Sequence, residues 1–192
     1  MSLLRKGAIT RRGGAPPIPV LIDYFDVTQN ALYGLTRVFP CTVGRCSVGQ
    51  SLAVDKARKI TSAKFGLRKE LGSPVGNLVA VLYNITGTHG TDAKPTGDPL
   101  ATSDPIPIED LTGTVVNYEF AFPKNQQYKM EVGYFGICVQ VQSATVLDSD
   151  NYPTVASRYG ALATHSGNFF ECWKGVWYAD ADYDCIFYVY GV

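Results

Sequence analysis

The stretch from Lys59 to Tyr83, KITSAKFGLRKELGSPVGNLVAVLY, places the strongest constraint on how this chain can fold. Its first half alternates. Ala63, Phe65 and Leu67 fall on one side of an extended chain and Ser62, Lys64, Gly66 and Arg68 on the other, the period of a half-buried strand. Its second half, Leu78 to Tyr83, is apolar on both sides, and the Gly72, Ser73, Pro74 and Gly76 between them reverse the chain. A hairpin is predicted whose second strand needs cover on two faces. In a two-layer sandwich one face packs on the opposite sheet and the other ordinarily meets water. The second cover must come from a loop, the N-terminal segment or another subunit, and the Pro-rich segment beginning at Thr86 is nearest. Left open, the patch is an interface and a hint of assembly.

The rest of the chain repeats the pattern. PVLIDYFDV, ALYGLTRVF, GRCSVGQSLAV, VVNYEFAF, YKMEVGYFGICVQVQ, NFFECWKGVWYA and CIFYVYGV read as strands, with a short extended piece around Pro99 to Ala101. No segment offers an amphipathic helix, and the polar stretch after Thr86 holds too many breakers for one. Twelve Tyr and nine Phe favour strands, and nineteen Gly and eleven Pro supply turns. The fold class read from this is all-β, an antiparallel jelly-roll-like β-sandwich, with residues 19–192 as one domain and 1–18 as an extended N-terminal arm. In the closing strand Ile186, Tyr188 and Tyr190 share one face and Phe187 and Val189 the other, which places it centrally in its sheet.

The arm carries Arg5, Lys6, Arg11 and Arg12 before the first acid, Asp23. Such a basic, Gly- and Pro-rich stretch is either a solvated terminus or an arm that orders on a neighbouring subunit or on nucleic acid. The formal net charge is zero, so no global field draws the chain to nucleic acid or an anionic membrane. No secretory leader and no run of about 20 apolar residues is read in the sequence. Five cysteines form no C-x-x-C set with histidines, which argues against structural zinc. Cys41 and Cys46 bracket TVGR, close enough for a disulfide across a turn in an oxidising compartment. Cys138 and Cys185 lie in apolar strands as small buried hydrophobes.

SVGQSLAV, KITSAKFGLRK, GSPVGNLVAVLY, PTGDPLATSDPI and DYDCIFYVYG together resemble a family of jelly-roll modules found in phage and prophage virion proteins and in bacterial surface or secreted proteins. The resemblance covers roughly Ser47 to the C-terminus. It implies adhesion, decoration or carbohydrate binding, and it leaves the basic arm and the CTVGRC pair unexplained.

Chemistry-bearing residues are sparse. His89 and His165, the two histidines, lie in Gly/Thr/Ser-rich loops. His165 with Cys172 as nucleophile and Asp184 as orienter is the one Cys/His set to be composed. Glu70, Glu109, Glu119, Glu131 and Glu171 are the acids available for paired-carboxylate hydrolysis, and nothing in their settings marks a pair. Asp148 and Asp150, and Asp180, Asp182 and Asp184, have the every-other-residue spacing that aims oxygens at a calcium ion, without the Gly and Glu of an EF-hand. Solvated acids entering a strand are the plainer reading. Asn84-Ile85-Thr86 is a sequon, meaningful in a eukaryotic secretory setting. No phosphate-binding loop is present.

Phe169, Phe170, Trp173, Trp177 and Tyr178 crowd one segment. On a continuous strand Trp173 and Trp177 share a face unless Gly175 breaks the register with a bulge. Exposed, Trp173, Trp177 and Tyr178 form a platform for a sugar ring or a partner; buried, they are core. The expectation is a non-enzymatic virion structural protein, a capsid-decorating, head or tail component. Its partners would be copies of itself and other virion proteins, with nucleic acid reached only through the basic arm. The alternative is an extracellular or cell-surface carbohydrate-binding or adhesion module. No cofactor and no membrane is expected in either.

Overall fold

The computed structural model describes residues 16–26, 34–38 and 44–192. Arg5, Lys6, Arg11, Arg12 and Cys41 lie outside these. The strands are β1 (Val20–Phe25), β2 (Gly34–Arg37), β3 (Arg45–Val54), β4 (Arg58–Leu71), β5 (Val75–Thr86), β6 (Lys94–Thr102) and β7 (Ile106–Pro107). They continue with β8 (Val116–Ala121), β9 (Lys129–Met130), β10 (Gly133–Val146), β11 (Tyr152–Tyr159), β12 (Phe169–Trp173), β13 (Val176–Asp180), β14 (Tyr183–Cys185) and β15 (Phe187–Gly191). All pairings are antiparallel.

Two sheets result, as the strand pattern predicts. The first runs β1-β15-β4-β11-β14, with β2 on β11 and β8 and β9 on β4; the second runs β13-β12-β3-β10-β5-β6, with β7 on β5. Their facing sides share one core. Phe65, Leu67, Phe120, Phe187 and Val189 come from the first sheet, and Val48, Leu52, Leu78, Leu82, Ile137 and Val139 from the second. The alternation read in β4 is the alternation observed, with Ala63, Phe65 and Leu67 fully buried.

The cover on the second face of β5 differs from every candidate named above. Val79, Val81 and Tyr83 are buried in a second cluster with Cys138 and Phe170, against which Trp177 packs. The Trp177 ring, on β13, stands 5.7 Å from that of Tyr83 on β5. In a flat sheet those strands, four places apart, would be roughly 19 Å apart at the usual spacing of about 4.8 Å. The second sheet is therefore curled until its far side is concave, and the end strands β6 and β13 come within 8 Å of each other by Cα positions. The face is covered by the sheet's own other edge, so its burial is no evidence of assembly.

Two glycines permit the curl. Gly49 in β3 lies between Phe170 and Cys138. A Cβ there would sit 2.5 Å from the Cys138 Cβ and collide with the Ile137 carbonyl oxygen. At Gly136 a Cβ would approach the Phe170 ring to 3.0 Å. The Phe170 ring thus packs over Gly136, where no side chain stands in its way.

Several strand expectations change. YKMEVGYFGICVQVQ divides into β9 and β10, and CIFYVYGV is broken at Ile186 between β14 and β15. The segment around Pro99 to Ala101 belongs to the nine-residue β6. NFFECWKGVWYA is a hairpin, not one strand: Lys174 (φ 49°) and Gly175 (φ 84°) form the two-residue turn between β12 and β13, the left-handed pair that matches strand twist. The strand β11 has no counterpart in the sequence reading, although Tyr152 to Arg158 is buried throughout. Its Pro153, Thr154, Ser157 and Arg158 look like a loop because its cover on both faces comes from distant segments.

Candidate functional site

The curled sheet and the first sheet meet at a polar junction, where titratable groups of distant segments converge. A β-bulge between Leu21 and Asp23 shifts the register of β1 against β15. It leaves Leu21 and Tyr24 beside Tyr190 and Tyr188 on the outer face and turns Asp23, paired with Val189, inward. Re-aiming a side chain is what a bulge accomplishes. The Asp23 Oδ2 accepts the backbone N–H of Ala53 on β3 (2.9 Å), and Oδ1 meets the Nε2 of His165 (3.0 Å). The imidazole, only 6% exposed, lies between the rings of Phe25 and Phe187.

The tautomer of His165 follows from its other nitrogen. The backbone N–H of Gly167 donates to Nδ1 (2.9 Å), so Nδ1 is unprotonated and the proton resides on Nε2, which donates to Asp23. Gln50 is oriented in the same way: its Oε1 accepts the N–H of Cys185 (2.9 Å), leaving its amide to donate to Asp184 Oδ1 (2.6 Å) and to face His165 Nδ1 (3.3 Å). Asp184 Oδ2 accepts the backbone N–H of His165 (2.8 Å). Burial pushes the Asp184 carboxyl above its ordinary range, against the lowering effect of these hydrogen bonds.

His89 completes the junction from the loop between β5 and β6. Its ring stacks on Tyr134 at 4.3 Å, and both its nitrogens are buried with no hydrogen-bond partner among the described residues. Burial and the neighbouring His165 hold it below the usual imidazole value of 6.5, while Asp23 acts in the opposite direction. Asn168 ties this loop down: Oδ1 accepts from Gly90 N–H and Ser51 Oγ, and Nδ2 donates to the Ala93 carbonyl.

Set beside the sequence candidates, His165 and Asp184 do meet, but through the His165 backbone, and the residue on the ring is Asp23. Cys172 shares the concave face with Phe170, on the opposite side of the sheet from Gln50, so no Cys/His pair forms. Asp184 is buried under Gln50 whereas Asp180 and Asp182 are exposed, and no metal-binding group occurs among the described residues. The structure therefore does not bring the calcium candidates Asp180, Asp182 and Asp184 together on one surface. Asp148 instead accepts from Asp150 N–H and Asn151 Nδ2, shaping the turn before β11. Glu70, Glu119, Glu131 and Glu171 each pair with a different cation, Arg68, Lys64, Lys129 and Arg45. Asp23 and Gln50 were missed. The legible signal for Gln50 was an amide on the same face as Val48 and Leu52; the bulge that aims Asp23 leaves no mark in the sequence.

The aromatic segment divides between two faces. Trp177 opposes Cys172 and packs on Phe170 and Tyr83, whereas Trp173, paired with Val176, lies on the other face with Glu171 and Tyr178. Trp173, Val176 and Tyr178 are exposed there, beside the Arg45 and Glu171 ion pair. A second exposed strip follows β1, formed by Ile18, Val20, Leu21 and Tyr24, with the Tyr24 ring stacked on Tyr188 at 5.9 Å. No family model, curated protein or solved structure matches this chain.

Proposed function

We propose that this chain is a non-enzymatic structural protein of a virion, a capsid-decorating, head or tail component. It joins copies of itself or neighbouring proteins through β1 and the basic stretch 1–18 that precedes it. The observation that carries the reading is the apolar strip on β1. Leu21 and Tyr24 are exposed together on the outer face of this edge strand, beside Tyr190 and Tyr188, and Ile18 (84% exposed) and Val20 are exposed at its start. Contiguous exposed apolar surface rimmed by polar residues marks interaction sites. The jelly-roll resemblance and the zero net charge agree with this reading. Sedimentation velocity tests it: the intact protein self-associates or binds its particle, and Leu21→Glu with Tyr24→Glu yields a folded monomer with no such affinity. A wild type that is monomeric at all concentrations and binds no particle overturns it.

The exposed face of Trp173 and Tyr178 favours a second reading, a carbohydrate-binding or adhesion module. Aromatic rings beside a charged, hydrogen-bonding pair suit the apolar face and hydroxyls of a sugar. Trp173→Ala is then expected to abolish binding on a glycan array with an unchanged melting temperature. Trp177→Ala does not serve that purpose, because Trp177 supports the concave core. An array on which wild type and Trp173→Ala are equally silent removes this reading.

A further inference from the structure

Two exposed apolar features stand at opposite ends of the sandwich. The first is the approach to β1. Pro16, Pro17, Ile18 and Pro19 are all exposed and lie outside any strand, and the prolines have no N–H to give to a sheet. A segment of this kind favours the polyproline II helix, whose three-residue turn sets Pro16 and Pro19 on one side about 9 Å apart. The second is the face of β12 and β13 that points away from the concave core. Trp173 with Val176 and Glu171 with Tyr178 are cross-strand pairs there. Trp173 and Tyr178 are therefore diagonal neighbours, roughly 7–8 Å apart, and both rings are exposed. Two rings so spaced match two prolines one turn apart, and aromatic surfaces are what polyproline segments dock on. We propose that this hairpin face receives the Pro16–Pro19 segment of a second copy, with the basic stretch that precedes the segment laid along Asp180 and Asp182.

Charge selects the same occupant. Arg5, Lys6, Arg11 and Arg12 precede every acid of the chain, and because the net charge is zero the remainder is negative by the same amount. Asp180 continues the Tyr178 side of β13, Asp182 follows it, both are exposed, and neither pairs with a cation among the described residues. With Pro16 on Tyr178 and Pro19 on Trp173, Arg12 falls about 12 Å beyond Pro16, and four extended residues, about 13 Å, carry β13 from Tyr178 to Asp182. Arg45 is already neutralised by Glu171, and Lys174 stands at the turn, on the Pro19 side and away from the arm's cations.

A copy cannot fill its own face. Asp23 is bonded to Ala53 near the end of β3, and Phe25 lies against His165, which meets Gln50. Thus β1 runs toward the Arg45 end of β3 and its start points the other way. Trp173 pairs with Arg45, eight residues before Ala53, roughly 26 Å along the strand. Val20 is held against Gly191, and the four residues back to Pro16 span at most about 14 Å. Donor and acceptor are different patches of one molecule, so the contact is heterologous and joins copies head to tail in a ring or a filament.

The head-to-tail contact rests on the assembly reading, to which it adds the receiving surface, and it takes the Trp173 face from the sugar. Sedimentation velocity on the full chain tests it. Wild type is expected to self-associate, and Trp173→Ala to weaken that association about tenfold or more with an unchanged melting temperature. Tyr178→Ala is a second lesion of the same face, and Pro16→Gly with Pro19→Gly removes the donor. An equimolar mixture of Trp173→Ala and the double proline variant, each monomeric alone, is expected to form a dimer and nothing larger, because one intact segment meets one intact face. Association of Trp173→Ala and Tyr178→Ala as strong as that of wild type overturns the contact, leaves assembly through β1 in place and frees the face for a sugar. A mixture that stays monomeric also overturns it. So does a wild type that is monomeric at all concentrations, and the assembly reading then stands or falls on binding to the particle.

Discussion

Phe170→Ala is expected to lower stability by about 4 kcal/mol, within the range for truncating a buried aromatic. For a chain of this size that is roughly 10 °C in melting temperature. The ring is fully buried, contacts Trp177 at 5.6 Å and lies over Gly136, so its loss opens a void that backbone on either side cannot fill. The effect should be specific to the curled sheet. Trp177 fluorescence is expected to shift to the red as Tyr83 and Trp177 separate, whereas the core between the sheets, which Phe170 does not enter, keeps its packing. A loss below about 1 kcal/mol in chemical denaturation would show that the second cluster is not a core.

Gln50→Leu is expected to cost about 3 kcal/mol at neutral pH. The leucine matches the amide in size, but it leaves the Asp184 carboxylate and the Cys185 N–H without their partner in a buried setting, and unpaired buried groups are costly. The penalty should shrink in acid. Asp184 already titrates above its ordinary range through burial, and loss of the Gln50 donor pushes it further up. A raised carboxyl takes up its proton in the folded state first, so folding gains as pH falls from the raised value toward the unfolded one near 3.9. Urea melts of wild type and Gln50→Leu at about pH 7 and about pH 4.5 check this. A penalty that is equal at both values would place the cost in packing and not in the charge.

The parts of this fold that the sequence made legible are local. β4 and β5 were readable because alternation and its absence are recorded within a few residues, and the Gly/Pro cluster between them is a turn by composition. What lay beyond reach was nonlocal. The run Leu78 to Tyr83 announced two buried faces, but its second cover comes from Phe170 and Trp177, some ninety residues onward, and required a curl that two glycines permit. β11 hid because a proline and polar side chains are tolerated where distant segments bury them. The junction hid for a similar reason. His165 and Asp184 were singled out, yet the partner of the ring sits at position 23, aimed there by a bulge. Trp173 and Trp177 exchanged the same face for opposite ones when Lys174 and Gly175 formed a turn.

The order of the first sheet also sets a timetable for synthesis. β1 is made early, but its neighbour is β15, and about 160 residues separate Phe25 from its partner Phe187. At 5–20 residues per second the ribosome needs on the order of ten seconds to supply that partner. Throughout that interval Val20 to Phe25 is an unpaired apolar segment on a nascent chain, and folding of the first sheet waits for a strand inserted between β1 and β4. Long-range closure of this kind is slow. Yield in the cell should therefore depend on holding chaperones more than the finished protein's stability would indicate.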